Sequence, residues 1–136
     1  MNKGAQLVLK TVRAIETGNY PQEKQNETQL LHRAPKIFKE TCEINWNNSA
    51  QHLINFVRGL SPYPTAWTRL NEKVFKIYKI AFADYNKESA VGEISTDNKT
   101  YLYIKTADSW ISILEFQPEG KKRMNVQEYF RGNKIN

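Results

Sequence analysis

The chain has 136 residues, with 20 Lys and Arg against 14 Asp and Glu, a net charge of +6 and a pI near 9.4. That length holds one core plus an appendage, and 3 Trp, 7 Tyr and 6 Phe supply enough apolar area to build it. Apolar runs no longer than Ile80–Ala83 and Tyr101–Ile104 exclude a membrane span, and the single Cys42 excludes a disulfide framework.

In chain order, Gly4–Thr17 has Ala5, Val8, Val12 and Ile15 at spacings of three and four, which predicts an amphipathic helix ended by Gly18 and Pro21. No apolar segment of the secretory kind occurs here, so a cytoplasmic protein is expected. Asn19–Leu31 is polar and reads as linker. Cys42, Ile44 and Trp46 alternate with polar residues, as in a short strand or extended arm. Asn47 and Asn48 offer caps to a helix with the stripe Ala50, Leu53, Ile54 and Val57, closed by Gly59 and followed by Pro62 and Pro64.

From Ala66 the pattern changes to strands. Ala66–Leu70 and Lys73–Phe82 flank an Asn71–Glu72 turn, Val91–Thr96 and Thr100–Thr106 flank a second, and Trp110–Gln117 follows a third. In the last of these, strict alternation puts Trp110, Ser112, Leu114 and Phe116 on one face and Ile111, Ile113 and Glu115 on the other. A short helix capped by Asn125 and stopped by Gly132 ends the pattern. The expected fold is mainly β: a small antiparallel OB-like barrel preceded by a helix and an extended linker, with a short C-terminal helix. The expected division is 1–18 (helix), 19–48 (linker) and 49–136 (barrel with its leading helix).

Charge is uneven along the chain. Residues 90–116 are net acidic, whereas both flanks are net basic, an asymmetry suited to a polyanionic partner. Catalytic chemistry is sparse. The three aspartates, Asp84, Asp97 and Asp108, fall at strand ends or turns; His32 and His52 are twenty residues apart, and His52 lies off its helix's apolar stripe. Metal, nucleophile and phosphate-loop motifs do not occur, and Cys42 reads as a half-buried apolar residue rather than a nucleophile. Neither a catalytic set, nor a cofactor site, nor a metal site is expected within this chain.

Three segments carry a resemblance: Ala34–Glu40 leading to Ile44-Asn45-Trp46; Arg58-Gly-Leu-Ser-Pro-Tyr-Pro-Thr-Ala-Trp67; and Leu114–Met124 with its Gln117-Pro-Glu-Gly-Lys-Lys-Arg-Met124 core. Together they resemble the C-terminal part of methionyl-tRNA formyltransferase, and Gly4–Thr17 resembles the last helix of that family's catalytic domain. Thr65 and Ser109 stand where the family often has glycine. The resemblance implies an enzyme that moves a formyl group from 10-formyltetrahydrofolate to the amino group of initiator methionyl-tRNA. The family's catalytic Asn-His-Asp set and folate loop belong to an N-terminal domain that nothing here matches, so this chain is expected to be an inactive C-terminal fragment that needs that domain in cis.

The same resemblance implies a basic face against tRNA, with Lys121, Lys122 and Arg123 after the Pro118–Gly120 turn, Lys36 and Lys39 in the connector, Arg58 before the prolines, and Lys76. Arg58 could equally pair locally, and Trp67 and Trp110 read as core anchors rather than stacking platforms. The competing readings are the equivalent barrel of a formyltransferase acting on an amino sugar or folate, and a free-standing nucleic-acid-binding barrel. The stripe Ala5, Val8, Val12 and Ile15, without a sheet to cover it, is expected to fray, fold back, or pair with a second copy.

Overall fold

The computed structural model describes residues 2–24 and 34–135. The part of the polar linker at 25–33, His32 included, lies outside the described residues. Two compact units are present, Met1–Pro35 and Lys36–Asn136.

The first unit is built on α1 (Asn2–Glu16). Its end follows from Gly18, whose φ of 67° is the left-handed conformation that glycine adopts without steric penalty. Gly18 N–H then donates to Ile15 O and Asn19 N–H to Ala14 O, each at 3.0 Å, closing off the last carbonyls. Val8, Val12 and Ile15 are all exposed.

The second unit opens with a 3₁₀ turn, Glu40–Cys42, and an extended stretch in which Ile44 N–H donates to Trp67 O at 2.8 Å. Cys42 is buried and its Sγ–H donates to Phe38 O, as a small apolar residue would sit. Next comes α2 (Ala50–Leu60). Its cap is Ser49 rather than Asn47 or Asn48: the Ser49 hydroxyl accepts from His52 N–H. Asp108, 58 positions further on, accepts from Ala50 N–H at 2.8 Å and ties the helix start to a distant turn. Gly59 does not stop the helix. Its φ is not among the positive ones, and Leu60, buried, extends the packed face through one more residue.

Six strands follow: β1 (Ala66–Leu70), β2 (Lys73–Phe82), β3 (Ile94–Thr96), β4 (Leu102–Lys105), β5 (Trp110–Pro118) and β6 (Met124–Asn125). They pair antiparallel in the order β1-β2-β5-β4-β3, with β6 beside β5, and curl into a half-barrel. The antiparallel, barrel-like architecture is thus the one expected from sequence. The Asn71–Glu72 turn is also as expected, with positive φ at both residues, the backbone twist that two-residue hairpins need. The third strand is shorter than Val91–Thr96. The fourth is likewise shorter than Thr100–Thr106.

One expectation fails. Strict alternation through 110–117 does not hold, because the β2–β5 register slips twice: Ile77 pairs with Phe116, Lys79 with Glu115, and Ile80 with Ile113. Tyr78 is extra in β2 and Leu114 is extra in β5, so each strand changes phase once and the two changes compensate. Ile111, Ile113, Phe116 and Pro118 therefore all point inward, opposite Phe75, Ile77 and Ile80. Trp110 is also buried, but under the segment after β2, where its Nε1–H donates to Lys87 O and Tyr85 meets it edge-on.

The core joins the inner sheet face to Leu53, Val57 and Leu60 of α2 and to Val126 and Tyr129 of α3 (Val126–Phe130). Tyr129 makes edge contacts with Phe75 and Phe116. Asn125 and Glu128 cap α3 reciprocally. Between β3 and β4, Asp97 accepts from Thr100 Oγ1–H and from the backbone N–H groups of Lys99, Thr100 and Tyr101. These bonds, that from Thr100 Oγ1–H foremost, hold its carboxyl well below the ordinary range.

Candidate nucleic-acid interface

The half-barrel has an inner face committed to the core and an outer face that begins as a row across three strands. Trp67 on β1 is in register with Lys76 on β2, and Lys76 with Gln117 on β5. Because the residues flanking Lys76, Phe75 and Ile77, point inward, Lys76 itself stands outward and exposed. Gln117 ties the neighbouring turn to this row: its Oε1 accepts from Tyr78 O–H at 3.0 Å and its Nε2–H donates to Lys121 O at 2.8 Å. The turn needs Gly120, which has φ of 73°, and it delivers Lys121 and Lys122 at its exit.

The connector reaches the same place. Trp67 Nε1–H donates to Lys39 O at 2.8 Å, which fixes the 36–39 segment beside β1. Lys36 lies over the Phe38 ring at 5.5 Å and Arg69 over Trp67 at 5.9 Å. Lys39, Lys76 and the Pro118–Gly120 turn line one cleft together with Trp67 and Tyr63.

The seven basic residues singled out from sequence do not share one condition. Lys39 and Lys76 line the cleft, and Lys121 and Lys122 come directly after its Pro118–Gly120 lining in the chain. Lys121 is partly engaged, with Nζ–H donating to Asn133 Oδ1 at 2.7 Å and lying 5.7 Å from the Tyr129 ring. Lys122 is exposed and makes no side-chain hydrogen bond or ion pair among the described residues. Arg123 is held: its Nε–H donates to Glu115 Oε2 at 2.9 Å, an Nη2 contact joins the same oxygen, and the guanidinium lies 4.3 Å from the Tyr78 ring. Arg58 donates to Asn55 Oδ1 on α2, a helix packed on the inner face, and does not line the cleft.

Sequence reasoning missed the aromatic lining. Trp67, read as a core anchor, packs against the core yet stays half-buried at the cleft. Tyr63 is exposed. Its setting between two prolines was the available signal, since an aromatic in a rigid turn has few ways to bury itself. Thr65 has φ of 79°, a conformation that favours glycine. It is held there by its hydroxyl donating to Pro62 O.

Chemically, this face offers cations, an amide and π-surfaces. Among the described residues no group of His, Cys, Asp or Glu is placed to hold a metal ion, and no helix is long and apolar enough to cross a membrane. The arrangement can neutralise phosphates: each ammonium group that meets a phosphate oxygen displaces a condensed counterion.

The architecture defines the class of module: a β half-barrel led by a helix and closed by a short one. Residues 36–134 match the formyl transferase C-terminal domain, and the chain belongs to that family. Its similarity extends to methionyl-tRNA formyltransferases. The protein of that name from Phocaeicola vulgatus is 46% identical over 142 residues, covering 97% of this chain and 44% of the relative. The one from Clostridium acetobutylicum is 38% identical over 135 residues, covering 99% of this chain and 43% of the relative. The chain thus spans less than half the length of these curated relatives. Among solved structures, HypX from Aquifex aeolicus in complex with tetrahydrofolic acid has the same fold, with a TM-score of 0.65 at 18% identity over 96% of this chain and 24% of HypX.

Proposed function

We propose that this chain is the tRNA-gripping C-terminal portion of a methionyl-tRNA formyltransferase acting in translation initiation in the cytoplasm. In this reading, residues 1–18 are the last helix of a catalytic domain, 19–48 a linker, and 49–136 the barrel domain. The stripe Ala5, Val8, Val12 and Ile15 is covered by that domain in cis, in preference to a second copy of the chain. The catalytic domain uses 10-formyltetrahydrofolate, a role in keeping with the folate in the HypX structure. The residues of this chain contribute binding and orientation alone.

The observation that supports the proposal is that Lys39 and Lys76 line one cleft on the outer face, with Lys121 and Lys122 following its Pro118–Gly120 edge along the chain. Folded RNA presents phosphates and 2′-OH groups on a wide, shallow groove, which such a face meets without reading bases. Arg123, held by the Glu115 carboxylate, and Arg58, away from the cleft, are secondary in this role; Lys121 must leave Asn133 to reach a phosphate, and Lys36 adds charge at the connector.

Titration of the chain with initiator tRNA at several salt concentrations tests this. Affinity should fall steeply with salt, roughly 0.7–0.9 in logarithmic slope for each phosphate neutralised. Indifference to tRNA in dilute buffer overturns the proposal, as does formyl transfer by the chain alone.

A further inference from the structure

The basic face contains more than lysines. A cleft of about 580 Å³ is set into it, a volume within the roughly 300–1,000 Å³ of small-ligand sites. Its walls are aromatic. Tyr63 is 89% exposed between Pro62 and Pro64, and Phe38 is 55% exposed. Trp67 is half-buried, its ring oriented by the Nε1–H bond to Lys39 O. Aromatic rings left in water within one cleft are an apolar surface that a ligand can cover. Lys39 and Lys76 line the same cleft against a single carboxylate, Glu119, so the walls are net positive.

We propose that this cleft receives one unstacked nucleotide of single-stranded RNA, its base against Tyr63 and Phe38 and its phosphate on Lys39 and Lys76. The argument is one of joint chemistry. An apolar peptide gains nothing from two ammonium groups, and a duplex keeps its bases stacked inside. A flat π-face carrying an anion at its edge satisfies both walls, and an unpaired nucleotide of an RNA partner offers the two together. Pro62 and Pro64 restrict the backbone around Tyr63, which lowers the cost of ordering this segment on binding. The inference rests on the function proposed above for its RNA partner and for Lys39 and Lys76, and it adds a contact that function does not need: a base stacked in the cleft.

The test uses the whole chain and a labelled single-stranded tetra-adenylate, with binding read by fluorescence anisotropy. Tyr63→Ala should weaken binding roughly tenfold, since one base–aromatic stack is lost. Tyr63→Phe, which keeps the π-face, should bind as the parent does. Tyr63 is almost wholly exposed, so the variant is expected to fold, and far-UV circular dichroism checks that it has. Equal binding by Tyr63→Ala and the parent overturns the inference. So does binding of 5′-AMP as tight as that of the tetranucleotide, which would assign the cleft to a free nucleotide instead of a strand. Failure of the tetranucleotide to bind while initiator tRNA binds with its full salt dependence removes this inference and leaves the function standing. Failure of both removes the function as well.

Discussion

Two helices in this chain follow one grammar and meet opposite fates. Both α1 and α2 place apolar residues at spacings of three and four, and both are a few turns long. In α2 the stripe is sealed: Leu53 and Val57 are each 1% exposed and pack onto the sheet. In α1 the stripe is open, with Val8 63% and Ile15 58% exposed. Periodicity therefore specifies a face to be covered without supplying the cover. Burial of α2 depends on residues further along the chain, the inner positions of β1 and β2. The α1 stripe depends on something else, which we assign to a catalytic domain.

The largest effect that could break this contrast comes from truncating the same kind of side chain in each helix. Leu53→Ala should destabilise the second unit by about 2–5 kcal/mol, through lost transfer energy and the cavity left behind. Val8→Ala should move the same transition by no more than about 0.5 kcal/mol, as for an exposed position. All three tryptophans lie in the second unit, so urea unfolding followed by their fluorescence reads that unit alone. A large loss from Val8→Ala would show that the α1 stripe is covered within this chain.

Legibility followed the range of the interactions. The end of α1 at Gly18, the Asn71–Glu72 turn and the Asn125 cap were readable because each is decided within a few residues. The phase change at Tyr78 and Leu114 was not, because it exists only as a relation between two strands; neither sequence alone shows a misplaced residue. The third-strand shortening and the true cap of α2 belong to the same kind. Ser49 was within reach of local reasoning, but its co-cap Asp108 sits 58 positions away. Among the basic residues, composition and the family motifs singled out segments of which the fold brings Lys39 and Lys76 to one cleft. They could not separate Lys122 from Arg123, since Glu115 comes beside Arg123 only through the β5–β6 pairing.

Asp108 sharpens the helix comparison from the other end, as an effect of intermediate size. Its bond from Ala50 N–H, followed by that from Thr106 Oγ1–H, holds its carboxyl below the ordinary 3.8. Asp97 is lowered as well. Below pH 4 the unfolded chain then binds more protons than the folded one, so stability rises with pH in that range. It is complete above the ordinary carboxylate value and is lost as pH falls through the lowered ones. Asp108→Ala should lower the melting temperature by a few degrees at pH 7, in the range of a lost helix cap. It should also flatten the stability loss between pH 4 and pH 2, measured by urea unfolding at each pH. An unchanged acid profile would deny Asp108 its role at the start of α2.

The smallest effect tests whether the division into covered and uncovered groups holds for single charges. Lys122 makes no side-chain ion pair among the described residues, whereas Arg123 is bound to Glu115 and stacked on Tyr78. A cation already neutralised by a carboxylate releases no further counterion when a phosphate approaches, unless that carboxylate is first displaced. Lys122→Ala should therefore reduce the salt slope of tRNA binding by about one unit at most, roughly fourfold in affinity between 50 and 200 mM salt. Arg123→Ala should change the slope by less, and Glu115→Gln should raise it by freeing the guanidinium for phosphate. If Arg123→Ala takes the larger share, the Glu115 pair opens on binding, and the exposed ammonium of Lys122 is solvated surface rather than grip.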